Sequence, residues 1–134
     1  MQKDFIDKLA FIEIKNKKVL VTLSRGKDKW YISGGKREVG ETDQQALMRE
    51  VKEELSVDLN PKTIKYYGTF KAQAHGKPMG TMVRMTCYTA SYKGKVEVNN
   101  EIEKYDFFSY SQKELTSAVD HLIFDDLKKR NLIN

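Results

Sequence analysis

Short hydrophobic runs alternate with polar segments through the first third of the chain. Two β-rich runs, residues 9–14 and 19–25, flank a polar turn at residues 15–18, and this pattern predicts a β-hairpin. A third short run at 30–33 reads as another strand, and we expect the pair Gly34–Gly35 to break it before a loop. The pattern therefore predicts three strands ahead of the first helix.

The first helix is expected from Asp43 to about Leu55. This segment contains no Gly or Pro, and Leu47, Val51 and Leu55 fall on one side of a helical wheel. Thr42 or Asp43 is a suitable helix cap. An amphipathic helix of about three turns follows from this spacing.

The pattern of apolar and polar residues in the second half of the chain predicts more strands and a C-terminal helix. Strands are expected at 64–74, 82–92 and 102–108, and the loop 75–80 between the first two is expected near a ligand. The segment 112–132 has helical spacing. Its apolar residues available to pack on the sheet are Leu115, Val119, Leu122, Ile123 and Leu127.

Composition narrows the class of protein. The 134 residues, 40% hydrophobic and 32% charged with 8 Gly and 2 Pro, fit one folded domain and exclude collagenous or disordered chains. No apolar run approaches the roughly 18 residues of a membrane span, and segment 1–8 has no signal-peptide core. The single Cys87 cannot form an internal disulfide and is expected in a buried strand. These features predict a cytoplasmic protein without a membrane partner.

Charge distribution gives the first hint of chemistry. The net charge is +5, which weakly favours an anionic partner. Acidic residues cluster between Glu38 and Glu54, and basic residues flank them. Those basic residues are Arg25, Lys27, Lys29, Lys36 and Arg37. A site that binds phosphate together with a cation would have this pattern.

Three glutamates of the predicted helix share one face. At about 100° per residue, Glu50, Glu53 and Glu54 fall within an arc of about 100°. A solvated acidic face is the ordinary explanation for such a trio. Here, however, only Arg49 can reach Glu53 along the helix, and like charges at this spacing repel. Magnesium takes oxygen ligands from a few carboxylates, so the spacing favours a divalent-cation site.

The residues around this helix resemble a known signature. They read Gly35-x5-Glu41-x7-Arg49-Glu50-Val51-Lys52-Glu53-Glu54-Leu55-Ser56-Val57. The Nudix signature is G-x5-E-x7-R-E-U-x-E-E-x-G-U, where U is a bulky aliphatic residue. The one mismatch within it is Ser56, where the family usually has Gly to end the helix in a left-handed conformation. A second departure is Ser33, where many members have Pro.

The resemblance implies a fold and a metal site. The order of elements is similar to that of short MutT-like Nudix hydrolases over nearly the whole chain, which implies a single domain over 1–134. The implied fold is α/β, a Nudix-type α/β/α sandwich with a mixed β-sheet between helices. The cofactor implied is Mg²⁺, with Mn²⁺ as a substitute. The metal-binding residues that match are Gly34 (through its carbonyl), Glu50, Glu53, Glu54 and Glu101, and those with a catalytic role are Glu50, Glu53 and Glu101.

Glu50 matches the position that orients or deprotonates the attacking water in some members, and Glu101 is the best match for an acid from a late loop. The same resemblance implies that water attacks a phosphorus of a diphosphate bridge. Arg25 and Lys36 are candidates to bind phosphate, although each is equally well an ordinary surface cation. Phe70 is the first choice to stack on a base.

Arg49 and Glu41 are expected to brace the loop and the helix without touching substrate.

The substrate is open within nucleoside diphosphates linked to a group X. Cues of ADP-ribose and dinucleoside polyphosphate enzymes would fall at Ala72 and Ala74, and both are missing. A nucleoside triphosphate or its oxidised form, cleaved to the monophosphate and pyrophosphate, is the default. ADP-ribose or another nucleotide sugar is the alternative, together with a catalytically silent nucleotide-binding module. No stable nucleic acid partner is expected, and a homodimer stays open.

Overall fold

The computed structural model describes residues 5–134, so the first four residues of the segment 1–8 considered for a signal peptide lie outside the described residues. The strands are β1 (Phe5–Ile12), β2 (Ile14–Lys15), β3 (Lys18–Ser24), β4 (Gly34–Lys36), β5 (Asp58–Leu59), β6 (Lys65–Gln73), β7 (Met82–Thr89), β8 (Tyr92–Lys93) and β9 (Ile102–Phe108). The helices are α1 (Asp43–Leu55), α2 (Ala118–Lys129) and two 3₁₀ turns (Pro61–Thr63 and Tyr110–Leu115). In this part of the chain no helix is long and apolar enough to cross a membrane.

Strand β1 is central to a mixed sheet of order β4-β1-β7-β6, where it pairs parallel with β7 and antiparallel with β4. The predicted hairpin is therefore wrong over most of its length, because only β2 pairs with β3. The consecutive residues Leu9, Ala10, Phe11 and Ile12 are all buried. A strand with both faces buried belongs inside a sheet, and two-faced burial is typical of parallel pairing.

The predicted strand at 30–33 is also wrong. Trp30 and Tyr31 form isolated bridges, and the strand is β4, which begins at Gly34. A Cβ at Gly34 would overlap the carbonyl oxygen of Leu9 on β1. Gly34 therefore does not break a strand, although the sequence predicted a break there. It lies within β4 and allows the backbones of β4 and β1 to approach closely.

Helix α1 has the predicted bounds and ends. Thr42 is its N-cap and forms a reciprocal capping box with Gln45. Ser56 is the C-cap in the left-handed region, with φ of 63° and ψ of 24°. Both expectations for the helix ends are confirmed, including the strained position that usually carries Gly.

The sheet lies between the two helices, which confirms the α/β fold with a mixed sheet. Leu9 and Phe11 of β1 pack in one cluster with Leu47 and Val51 of α1. The alternate residues of β1 pack in a second cluster with α2. That cluster contains Ala10, Ile12, Cys87, Val119, Ile123, Phe124 and Leu127. The buried position of Cys87 in β7 is confirmed.

The C-terminal helix starts later than predicted. The segment expected as one helix from 112 to 132 consists of a 3₁₀ turn, Tyr110–Leu115, followed by α2 with Ser117 as its N-cap. Leu115 is therefore half exposed rather than packed on the sheet, and Leu122 is 39% exposed. The predicted strand 82–92 likewise ends at Thr89.

Candidate active site

A cavity of about 420 Å³ opens beside the start of β4 and contains most of the charged residues of interest. Its lining includes Gly34, Gly35, Glu50 and Glu54. Apolar residues also line it, namely Ile6, Ile32, Ala74, Val83, Met85 and Val119. The cavity thus combines carboxylates with apolar side chains that could contact a ring.

Glu54 is the most desolvated of the three helix glutamates. Burial raises its pKa to about 7, and the nearby Glu50 charge contributes in the same direction. The Ser33 hydroxyl donates to Glu54 Oε1 at 3.0 Å and opposes this shift. Such a carboxylate gains much from a cation placed against it, because a buried anion is costly without a partner.

Glu50 lies against the backbone of β4. A Cβ on Gly35 would overlap the Glu50 carboxylate, so glycine leaves the space that this side chain fills. Burial raises the Glu50 pKa, the hydrogen bond from Arg49 lowers it, and the charges of Glu53 and Glu101 raise it. The helix and the strand therefore hold this acid at the cavity wall in a partly desolvated state.

Arg49 contacts more acids than the sequence predicts. Its Nη1 lies 3.2 Å from Glu50 Oε2 and 3.3 Å from Glu53 Oε1. Arg49 thus reaches Glu53 as expected, and it also reaches Glu50, for which the sequence predicted no cation. Neighbouring residues of a helix do not normally face each other, but the arginine side chain is long enough to contact Glu50 as well as Glu53.

Arg49 also braces the loop before α1, as expected. Its Nε and Nη2 donate to the two oxygens of Glu41 at 2.7 and 2.9 Å, and Nη2 donates to the Lys36 carbonyl at 3.0 Å. The Arg49 hydrogen bond lowers the Glu41 pKa to about 2. Glu41 in turn accepts from the Glu38 N–H at 2.8 Å, which fixes the loop onto the helix.

Most of the predicted site residues lie at the cavity. Gly34, Glu50, Glu54, Glu101 and Lys36 all line the cavity, although Glu101 and Lys36 are exposed. Glu53 is on the same helix but is turned toward Arg49, with 46% of its side chain exposed.

Two predicted substrate-binding residues lie outside the cavity lining. Arg25 is exposed and reaches the site through its backbone, since its N–H donates to the Glu101 carbonyl at 2.8 Å. Phe70 stacks on Tyr67 and lines a separate shallow groove with Leu122, among the described residues. Phe70 shares a face of the sheet with its register partner Met85, which lines the cavity, but Phe70 itself belongs to the edge strand β6.

Sequence reasoning missed the interior charges. Lys8 lines the cavity in a largely buried position, and burial lowers its pKa. Asp120 is fully buried near it, and burial raises its pKa to about 7. Its Oδ2 accepts from Ser117 at 2.9 Å, whereas Oδ1 has no hydrogen-bond partner within residues 5–134. The one signal in the sequence is Asp120, three residues after the cap Ser117. That position is ordinary for an acid at the start of a helix.

The oxygen donors fit a hard divalent cation. Two desolvated carboxylates, Glu50 and Glu54, flank the backbone of Gly34 and Gly35, and magnesium is usually held by one or two carboxylates plus substrate phosphates. In the described residues no group of three His, Cys, Asp or Glu side chains is already gathered around a point. The engagement of Glu53 with Arg49 and the exposure of Glu101 account for that difference from the predicted ligand set.

Comparison with known proteins identifies the family. The NUDIX domain model matches residues 9–125. No curated protein sequence matches the chain. A putative Nudix hydrolase family member from Chromobacterium violaceum is similar in structure, with a TM-score of 0.73, 25% identity, and coverage of 96% of this chain and 80% of that one.

Two other solved structures share the fold. The MutT protein of Methanosarcina mazei Go1 superposes with a TM-score of 0.76 at 18% identity, covering 98% of both chains. The E. coli dihydroneopterin triphosphate pyrophosphohydrolase has a TM-score of 0.70 at 20% identity, with coverage of 96% of this chain and 99% of that one. With the family model spanning most of its length and the signature residues Glu50 and Glu54 lining the cavity, the chain belongs to the Nudix hydrolase family.

Proposed function

We propose that this Nudix hydrolase cleaves a nucleoside triphosphate, or its oxidised form, to the monophosphate and pyrophosphate with Mg²⁺ as cofactor. The observation that carries the proposal is the cavity whose lining combines Glu50 and Glu54 with apolar side chains. Such a lining suits a flat ring against the apolar side chains and a charged chain near the carboxylates.

The proposed metal ligands are the carboxylates of Glu50, Glu53 and Glu54, the carbonyl of Gly34, and Glu101 from the loop before β9. A bound magnesium ion would neutralise charge on the phosphate oxygens and lower the pKa of a bound water. Because Glu53 and Glu101 are exposed, both have the freedom to turn toward a cation.

Glu50 is proposed to orient the attacking water and to accept its proton. Its pKa is raised by burial, and a base whose pKa approaches the working pH is the more effective. The hydrogen bond from Arg49 Nη1 holds Glu50 Oε2, so one carboxylate oxygen is fixed while the other stays available to the water. The new P–O bond forms as the bond to the bridging oxygen of the diphosphate breaks, and the pyrophosphate departs with that oxygen.

Basic residues around the cavity support a polyphosphate. Lys36, Lys27 and Lys77 line it together with His75, so three lysines surround one cavity. Lysine is a flexible point charge that suits phosphate groups of changing geometry. Arg25 reaches this rim through its neighbour Glu101 and remains a candidate phosphate ligand. The structurally similar E. coli protein is named as a pyrophosphohydrolase of a triphosphate, which agrees with a triphosphate substrate here.

The deciding experiment is a hydrolysis screen with Mg²⁺ across nucleoside triphosphates, nucleotide sugars and dinucleoside polyphosphates, carried out in water enriched in oxygen-18. We expect triphosphates to yield monophosphate and pyrophosphate, with the label in one product. Glu54→Gln should remove the activity, whereas Glu103→Gln, at an exposed glutamate of β9, is the matched control and should retain it. Orthophosphate as the first product, or cleavage of ADP-ribose with inert triphosphates, would contradict the substrate proposed here.

A further inference from the structure

Five side chains between the sheet and the start of α1 form a continuous set of ion pairs and hydrogen bonds, here named the Arg37 network. Its members are Asp7, Arg37, Asp43, Arg84 and Tyr88. At its centre, Arg37 Nη2 contacts the Asp7 carboxylate and Arg37 Nη1 contacts the Asp43 carboxylate. Asp7 belongs to β1 and Asp43 is the first residue of α1, so one guanidinium joins the sheet to the helix.

The other ends of the network are anchored on β7. Arg84 Nη2 donates to Asp7 Oδ2 at 3.1 Å, and the Tyr88 hydroxyl donates to Asp43 Oδ2 at 2.7 Å. Arg84 lies opposite Asp7 in the parallel pairing, and Tyr88 lies four residues further along β7 on the same face. The first turn of α1 is therefore tied to the two central strands of the sheet.

This network does not border the cavity. Asp7 shares a face of β1 with Phe11, whose side chain packs in the cluster of α1, whereas the neighbouring Lys8 lines the cavity from the opposite face. None of the five members is part of the cavity lining that the described residues form. Any influence on the site must pass through the backbone that the network holds.

That backbone is the loop 37–42, which connects β4 to α1. On its inner side, Arg49 holds the loop through Glu41 and the Lys36 carbonyl. On its outer side, Arg37 holds the loop against β1 and the start of the helix. With both arginines in place, the helix can neither slide along nor tilt away from β4 without breaking an ion pair.

We propose that Arg37 is a positioning residue for the metal site: it fixes α1 against β4 and so sets the place of Glu50 and Glu54 relative to Gly34. This inference rests on the proposed function, because those groups are the proposed metal ligands. Groups that orient metal ligands from outside the site commonly change metal affinity by about 10–100-fold when they are removed.

A surface ion pair without such a role would give a different result. The side chains of Arg37, Asp7 and Asp43 are 31%, 26% and 39% exposed, and partly exposed pairs often contribute little to stability. Loss of a merely stabilising pair would lower the free energy of unfolding and leave metal affinity unchanged. Metal affinity of the folded protein is therefore the quantity that separates the two roles.

The test is a titration with Mn²⁺ alone, read by electron paramagnetic resonance without nucleotide, on the wild type, Arg37→Met and Arg37→Lys. We expect Arg37→Met to bind Mn²⁺ about tenfold more weakly, and Arg37→Lys, which can reach one carboxylate at a time, to lie between. The matched control is Arg130→Met, which removes an arginine that pairs with Asp126 at 3.0 Å on α2. This control should bind Mn²⁺ as the wild type does.

Amide hydrogen exchange of the metal-free protein gives a second measurement. The Glu41 N–H donates to the Glu38 carbonyl at 3.1 Å within the held loop, and its exchange should be about tenfold faster in Arg37→Met. If the wild type binds Mn²⁺ and Arg37→Met binds it equally well, the inference is overturned. If the wild type itself binds no Mn²⁺, the proposed metal site fails instead. Should Arg37→Met not fold, Arg37→Lys carries the comparison.

Discussion

The Ser33 hydroxyl donates a hydrogen bond to Glu54 Oε1 at 3.0 Å, which links a departure from the Nudix pattern to the most buried acid of the signature helix. Ser33 is itself buried, with 1% of its surface exposed. Many family members have Pro at this position, and a proline offers no hydroxyl. In this chain the residue gives the Glu54 carboxylate a partner inside the protein.

Removing that partner should weaken the site without disrupting the fold. A hydrogen bond to a charged group contributes about 1.5–3 kcal/mol, so Ser33→Ala should lower kcat/KM for the triphosphate by about tenfold or more. Steady-state kinetics over a range of Mg²⁺ concentrations would measure it. Ser91→Ala, which removes an exposed hydroxyl bonded to Thr63 at 3.1 Å, is the control. Unchanged kinetics in Ser33→Ala would show that this hydrogen bond has no role in turnover.

Glu53 provides the direct test of the proposed metal ligands. Its side chain is 46% exposed and contacts Arg49 at 3.3 Å, so Glu53→Gln should leave the free energy of unfolding nearly unchanged. Turnover should nevertheless fall by several orders of magnitude, because a ligand that stabilises phosphoryl transfer is lost. Urea unfolding and single-turnover kinetics together separate these effects. Full activity in Glu53→Gln, or activity that survives chelation of divalent ions, contradicts the metal assignment.

The sequence predicted the bounds and the caps of α1 correctly because they depend on local chemistry. Capping by Thr42, the apolar stripe of Leu47 and Val51, and the left-handed end at Ser56 are properties of neighbouring residues. Strand partners depend on the whole fold, which is why the hairpin from residues 9–14 was wrong: β1 pairs with β7, more than seventy residues away.

The interior of the site escaped prediction for a similar reason. Lys8 and Asp120 are about 110 residues apart in the chain, and nothing local distinguishes a buried lysine in a strand from an exposed one. Phe70 is outside the cavity lining because β6 is the edge strand of the sheet, although Phe70 shares a face with its cavity-lining partner Met85. The sequence does not reveal the order of the strands.

Substitution of Ser56 by glycine is expected to increase stability. With φ of 63°, Ser56 holds a conformation that costs a side-chain-bearing residue about 1 kcal/mol relative to glycine. Ser56→Gly should therefore raise the free energy of unfolding by up to about 1 kcal/mol and leave catalysis intact. Ser56→Ala keeps the strain and serves as the comparison. A destabilised glycine variant in urea titrations would mean that serine makes a contact whose loss outweighs the relief.

The buried Asp120 is expected to make the free energy of unfolding depend on pH. Burial raises its pKa in the folded protein from 3.8 to about 7, with the nearby Lys8 charge acting in the opposite direction. The folded state therefore binds a proton more tightly than the unfolded chain does. This contribution to stability is fully present below about pH 4 and is lost as the pH rises toward 7.

Asp120→Asn removes that titration while it keeps an oxygen that can accept from Ser117. We expect the variant to be more stable than the wild type at pH 8, and its free energy of unfolding to change less between pH 4 and 8. Urea unfolding at several pH values measures both. Glu54, whose pKa is also raised to about 7, contributes in the same direction, so the comparison must also be made in the Glu54→Gln background. A pH dependence that is identical in Asp120→Asn and its parent would show that Asp120 is ionised in the folded protein at all these pH values. In that case the hydrogen bond from Ser117 and the Lys8 charge would together outweigh the cost of burial.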